Sequence, residues 1–300
     1  MQDLLQHLIN GLSLGSIYAL IALGYTMVYG VLQLINFAHA DIYMVGAFAA
    51  YYVSRWMGLE AQPGLYSLAM ALLASMATCA ALGVLIERLA YRPLRGSPKL
   101  NILITAIGVS LLLEFTGQLV FGANPKVFPR LIEDATLIEN KFLVLKSLDI
   151  TIFAVTLGAL LALRYLIFKT KLGKSMRAIS HSMTTASLLG INVNTVVVFT
   201  FIVGSALAGV GSVLVGLKYP KIEPLMGVMI GLKAFVAAVL GGIGNMSGAV
   251  IGAMIMGLSE EFVVGYLSST LRDALAFGLL IGILIWKPSG LLGKNAIEKV

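Results

Sequence analysis

The chain has 300 residues, of which 59% are hydrophobic and 12% charged, with a formal net charge of +7. A soluble domain carries roughly 25% charged residues, so this composition excludes an ordinary water-soluble fold around one core. The basic residues fall in connections between apolar runs rather than along one helical face, which argues against a nucleic-acid surface.

No charged residue occurs between Gly11 and Ile35, over Ala61–Ile86, over Asn194–Leu217 or over Ala234–Ser259. A helix needs roughly 20 apolar residues to cross the hydrocarbon core of a bilayer. Taken in order, apolar segments fall near 9–31, 36–54, 64–86, 100–121, 150–168, 195–217, 225–240, 246–258 and 271–286. They predict an all-α, polytopic membrane protein of about 8–9 membrane segments, in one transmembrane domain over residues 1–300. The N-terminus lacks a basic n-region and runs into a long apolar stretch, so the first segment reads as a permanent span. The single Cys79 lies inside an apolar run and reads as a small buried residue.

Lys and Arg near span ends mark the cytoplasmic side. Arg88, Arg92, Arg95 and Lys99 fill one connection, opposed by Glu87. Lys169, Lys171, Lys174 and Arg177 fill a second, and Lys287, Lys294 and Lys299 the tail. The 122–149 connection balances Lys126, Arg130, Lys141 and Lys146 against Glu133, Asp134, Glu139 and Asp149. These patterns predict a cytoplasmic loop at 169–195, an external loop at 122–149, an outside N-terminus and a cytoplasmic C-terminus.

Ile42–Val53, 225–240 and 246–258 are short for plain spans. Gly241-Gly242-Ile243-Gly244-Asn245 joins the last two. Short or glycine-broken segments mark discontinuous helices and solute pathways; two short spans with a tight glycine turn fit the same pattern. Asn36 before Gly46-Ala47, and Asn245 before Gly252-Ala253, form a weak internal echo.

An ionisable group at mid-membrane costs roughly 2.5–3.5 kcal/mol on the insertion scale. Such residues are therefore functional candidates. Glu114 and Lys233 are opposite charges inside segments, and a Glu114–Lys233 pair is one way to satisfy both. Arg164 is close enough to its helix end to snorkel. Asn36, His39 and Asp41 sit within six residues; Asn36 as a helix cap and the group as a solute contact are compatible readings. The three histidines fall in separate regions, and no metal, nucleophile-elbow or P-loop motif occurs. The chain therefore reads as neither an enzyme nor a cofactor binder, and any ATP-driven work belongs to partners.

Over 169–195, Met176, Ile179, Met183 and Ala186 share one helical face, Leu188 and Leu189 extend it, and Gly190 stops it. A partner-docking helix and a helix lying on lipid both fit.

The chain resembles the permease subunits of branched-chain amino-acid ABC importers, specifically the shorter of the two. The likeness is carried by Gly15-Ser16-Ile17-Tyr18-Ala19-Leu20, Gly24-Tyr25-Thr26-Met27-Val28-Tyr29-Gly30, Asn36-Phe37-Ala38-His39, Arg177-Ala178, Ala186–Asn192, Lys233-Ala234-Phe235, Leu240–Asn245 and Pro288–Gly293. The family usually has Gly where Ala40 stands, and often an acid within Ser180–Ser182. The resemblance implies a bacterial inner-membrane importer with two ATP-binding subunits, a second, longer permease and a periplasmic or lipid-anchored amino-acid-binding protein. It implies ATPase coupling through Arg177, Ala178, Ala186, Leu189, Gly190 and Ile191. For a zwitterionic substrate, the candidate pathway residues are Tyr25, Asn36, Phe37, His39, Asp41, Tyr43, Lys233, Gly241, Gly242, Gly244 and Asn245. An ABC permease for amides, urea or sugars, and an ion-coupled secondary transporter using Asp41 and Glu114, are the rival readings.

Overall fold

The computed structural model describes residues 2–140 and 143–293. Lys141, Lys294 and Lys299 of the charge count lie outside the described residues. The helices are α1 (Gln2–Leu32), α2 (His39–Trp56), α3 (Leu65–Ile86), α4 (Lys99–Phe121), α5 (Ser147–Lys169), α6 (Lys171–His181), α7 (Met183–Leu188), α8 (Val193–Lys218), α9 (Met226–Gly241), α10 (Met246–Tyr266) and α11 (Arg272–Trp286). A π turn at Glu87–Tyr91 and a 3₁₀ turn at Arg92–Leu94 prolong α3. Among the described residues seven segments are long and apolar enough to cross a membrane; α2, with 18 residues but more polar, and α9, with 16, are not among them.

α1 is the axis of the bundle, with 94% of its span buried. α10, α8, α9 and α5 pack against it, α3 packs on α8 and α2, and the most exposed helices, α4 and α11, lie at the periphery. Close packing in lipid needs small residues. Here Gly11 and Gly15 of α1 face Gly257 of α10 so closely that a Cβ on Gly257 would lie 2.3 Å from the Gly15 nitrogen.

Ties between distant segments define two ends. At one end, strand β1 (Lys126–Val127) pairs antiparallel with β4 (Lys221–Ile222). Lys218, closing α8, meets Asp149, opening α5, at 3.0 Å. The hairpin of β2 (Thr136–Asn140) and β3 (Leu143–Lys146) also lies there, with Val144 N–H donating to Gln6. At the other end, Arg95 donates to Asn194 at 2.7 Å, and buried Glu87 pairs with Arg92 and Arg95. The described basic residues of 88–99, 169–177 and the tail gather at this second, basic end.

Three sequence readings change. The 246–258 segment is not short: α10 runs 21 residues to Tyr266, because Glu260 and Glu261, which ended the apolar run, are buried and paired. Asn36 does not cap α2; Ala38 holds that position and makes no side-chain cap bond. Asn245 does cap α10, accepting from Gly248 N–H at 3.2 Å, so the Asn36/Asn245 echo joins two unlike positions.

Candidate functional site

The chain leaves α1 at Leu32, turns through Gln33 (φ +55°) and re-enters the bundle before becoming helical again at His39. His39 packs against Gly24 of α1, where a Cβ would lie 2.2 Å from the imidazole Nε2, and Gly24 in turn abuts the Gly204 carbonyl of α8. Gly24 is about eight residues, or ~12 Å, from the end of α1, so α2 starts well inside the bundle. α9 also begins inside. Its Gly227 and Gly231 straddle Ala40, with a Cβ on Gly231 falling 2.2 Å from the Ala40 Cβ. The two short helices start against each other and run apart toward opposite ends. The Ala40 methyl fits because glycines face it.

Around this break, Tyr25 stands edge-on to His39 with ring centroids 4.6 Å apart. Phe235 of α9 packs on both Tyr25 and Phe37. Tyr91 donates to Asn36 Oδ1 at 2.9 Å. Ser110 of α4 donates to Asp41 Oδ2 at 2.5 Å. Tyr43 is fully buried deeper in the core. Asn36 Nδ2, both His39 ring nitrogens, Asp41 Oδ1 and Tyr43 Oη are buried without a hydrogen-bond partner among the described residues. An unsatisfied buried polar group costs about 1–3 kcal/mol. Several such groups cluster beside this one helix break.

Lys233 belongs to a different constellation. Its Nζ lies 2.9 Å from Glu260 Oε1 and 2.7 Å from Asp273 Oδ1. Glu260 is fully buried, accepts from Tyr18 at 2.9 Å and pairs with Arg272. This lattice joins α1, α9, α10 and α11. The Glu114–Lys233 pair is therefore not formed; among the described residues Glu114 has no ion-pair partner and sits on α4 one turn beyond Ser110. Glu260, Asp273, Arg272 and Tyr18 were missed in the sequence. The available signal was an acid pair ending one apolar run without a helix breaker, and an Arg-Asp opening the next.

Gly241, Gly242, Gly244 and Asn245 lie at the basic end rather than beside His39. Gly242 (φ +105°) and Gly244 (φ +91°) adopt backbone that other residues rarely reach. The Pro288–Gly293 tail straps this turn: Leu291 and Leu292 N–H donate to Leu240 and Gly241 carbonyls at 2.9 Å, and Asn245 Nδ2 donates to Leu292. A Cβ on Gly290 would lie 2.4 Å from Gly242 Cα. Two motifs distant in sequence form one unit.

The 169–195 stretch is two helices, not one. Ser182 breaks it and caps α7, accepting from Thr185 N–H. Met176, Ile179 and Ala186 are nonetheless buried, so the shared face survives the break. Arg177 stacks on Phe168, guanidinium to ring centroid 5.3 Å, and Ala178 is half-buried. Gly190 (φ +82°) ends α7, with Gly190 N–H bonded to Ser187 and Ile191 N–H to Ala186, the paired closure of a Schellman motif. It leaves Leu188 and Leu189 projecting at the basic end, 84% and 77% exposed.

These features define a polytopic helical membrane protein with a discontinuous helix pair inside its bundle and an apolar tip at one end. Residues 7–284 match the family described as branched-chain amino acid transport system / permease component, and the chain belongs to that family. It is 42% identical to the high-affinity branched-chain amino acid transport system permease protein BraD of Pseudomonas aeruginosa, covering 99% of this chain and 98% of that one. It is 41% identical to the permease protein LivH of Escherichia coli, covering 99% and 97%. A stretch of 99 residues, 31% of each chain, is 32% identical to the ribose import permease protein RbsC of Haemophilus influenzae.

Proposed function

We propose that this chain is the membrane-spanning permease subunit of an ATP-driven, binding-protein-dependent importer of branched-chain amino acids. The full-length similarity to BraD and LivH carries the reading. In this reading two ATP-binding subunits supply the motor, and the protruding Leu188-Leu189 tip is an apolar knob for one of them. The basic end then faces the cytoplasm, with the N-terminus outside, in the inner membrane of a bacterium. A second, longer permease completes the path, and a periplasmic or lipid-anchored binding protein delivers the amino acid.

The path wall runs along the face on which α4, α2, α9 and α11 are neighbours. Val228, Leu232, Phe235 and Val239 share the open face of α9 at helical spacing, and none of the four is fully buried. Phe37 adjoins it. This apolar strip suits a branched side chain. The opposed starts of α2 and α9 put the positive ends of two helix dipoles within the membrane, where a carboxylate is favoured. Asn36, His39, Asp41 and Tyr25 pack around that break. Movement of the ATPases reaches it through α6, which packs on α5 and α1, and the break shifts between inward- and outward-facing states.

Titration of the co-encoded binding protein with leucine, isoleucine and valine, followed by uptake through the reconstituted complex, tests the substrate class. The RbsC-like stretch favours a second reading, a permease for a sugar or another small polar solute; saturable sugar uptake with no leucine uptake would establish it instead.

A further inference from the structure

We propose that the groove between α5 and α10 holds one anionic glycerophospholipid of the basic-end leaflet. A groove of about 920 Å³ runs between the two helices, with the buried Leu23 of α1 at its floor. The walls are apolar: Leu157, Leu161, Val250 and Ile251. From Leu157 to Lys169 the α5 wall is about 18 Å long at helical rise, close to one leaflet of a ~30 Å hydrocarbon core. The groove therefore has the length and chemistry of an acyl chain.

Its rim has the chemistry of an anionic headgroup. Arg164 and Lys169 line it from α5, and Ser247 lines it from the first turn of α10; no acidic residue lines it. Arg164 sits about one and a half turns inside the end of α5, so its guanidinium extends to the interface level. Helix N-terminal N–H groups add to the positive potential. Basic pockets between transmembrane helices near one leaflet select anionic headgroups. This occupant requires only that the chain spans a membrane, and it stands apart from the question of which solute is carried.

The test uses the full chain purified from membranes with its companion subunits, delipidated in detergent and titrated with phosphatidylglycerol or phosphatidylcholine of matched chain length, bound lipid being read by native mass spectrometry. Phosphatidylglycerol binds more tightly, on the order of tenfold. Arg164→Gln with Lys169→Gln, both exposed positions, brings the two lipids level. Lys126→Gln, at the opposite end, leaves the preference intact. Equal retention of the two lipids by the unmodified protein, or an unchanged preference in the double variant, overturns the proposal. Efficient crosslinking of the Leu161→Cys variant to another membrane subunit also overturns it, by giving the groove to a protein.

Discussion

Lys233 and Glu260 form a buried ion pair, Nζ to Oε1 2.9 Å, across 27 residues of sequence. The pair is also the centre of the lattice that Asp273, Arg272 and Tyr18 complete. Removing one member of a buried pair leaves an uncompensated charge and costs about 3–5 kcal/mol. Lys233→Met or Glu260→Gln alone should lower the melting temperature of the purified protein sharply. Making both changes removes one charge of each sign and leaves Arg272 with Glu261 and Asp273, so the double variant should recover a large part of the loss. Additive losses in that cycle would mean that the contact carries no coupling.

Ala40 and Gly231 form a second testable contact, since a Cβ at 231 would overlap the Ala40 methyl. Gly231→Ala should reduce stability and uptake, whereas Ala40→Gly should be tolerated. Combining them should restore most of what Gly231→Ala loses. A double variant no better than Gly231→Ala would show that α2 and α9 do not meet at these residues.

Gly24→Ala should be severe for the same steric reason, with His39 and the Gly204 carbonyl in the way. Gly108→Ala on α4, with nothing within 4 Å, should be neutral or slightly stabilising through helix propensity, by up to about 1 kcal/mol. Comparable melting shifts for the two variants would contradict the packing described.

Tyr91→Phe removes one hydrogen bond to Asn36 and should cost about 0.5–1.5 kcal/mol, with assembly preserved. Asn36→Ala should impair transport further, measured as initial uptake rate at equal expression. Normal uptake in a correctly assembled Asn36→Ala protein would take Asn36 out of the pathway.

Much of the architecture was legible because lipid imposes a simple rule on sequence. Long charge-free runs must be spans, and the clustering of Arg88–Lys99 and Lys169–Arg177 sorted their ends. The break at Asn36–Asp41 was legible too, because polar residues stand between a full-length apolar run and the short run Ile42–Val53. What sequence could not supply was partnership across the bundle. Lys233 reads as an intramembrane charge, yet its partners come from two other helices; Glu114, deep in the fourth segment, offers an opposite charge in sequence, while Glu260 lies just past the 246–258 run. Likewise the 241–245 turn read as a break at membrane depth. Its partner, the Pro288–Gly293 strap, lies too far along the chain for local patterns to reveal. The kink at Ser182 escaped because Met176, Ile179 and Ala186 keep a common face across it.

The tip at Leu188 and Leu189 offers a way to separate folding from coupling. Both side chains are exposed, so replacing both with Ser should change stability by no more than about 0.5 kcal/mol. Uptake, and stimulation of ATP hydrolysis by the loaded binding protein, should nonetheless fall steeply. A large melting shift, or unaltered coupled transport, would remove the tip from the drive mechanism.

The most direct measurement is radiolabelled leucine uptake into sealed proteoliposomes containing this chain, with each companion subunit added or withheld. Accumulation against a gradient should occur only when the ATP-binding subunits, the second permease, loaded binding protein and ATP are all present. Concentrative uptake by this chain alone, driven by a proton or sodium gradient, would contradict the account.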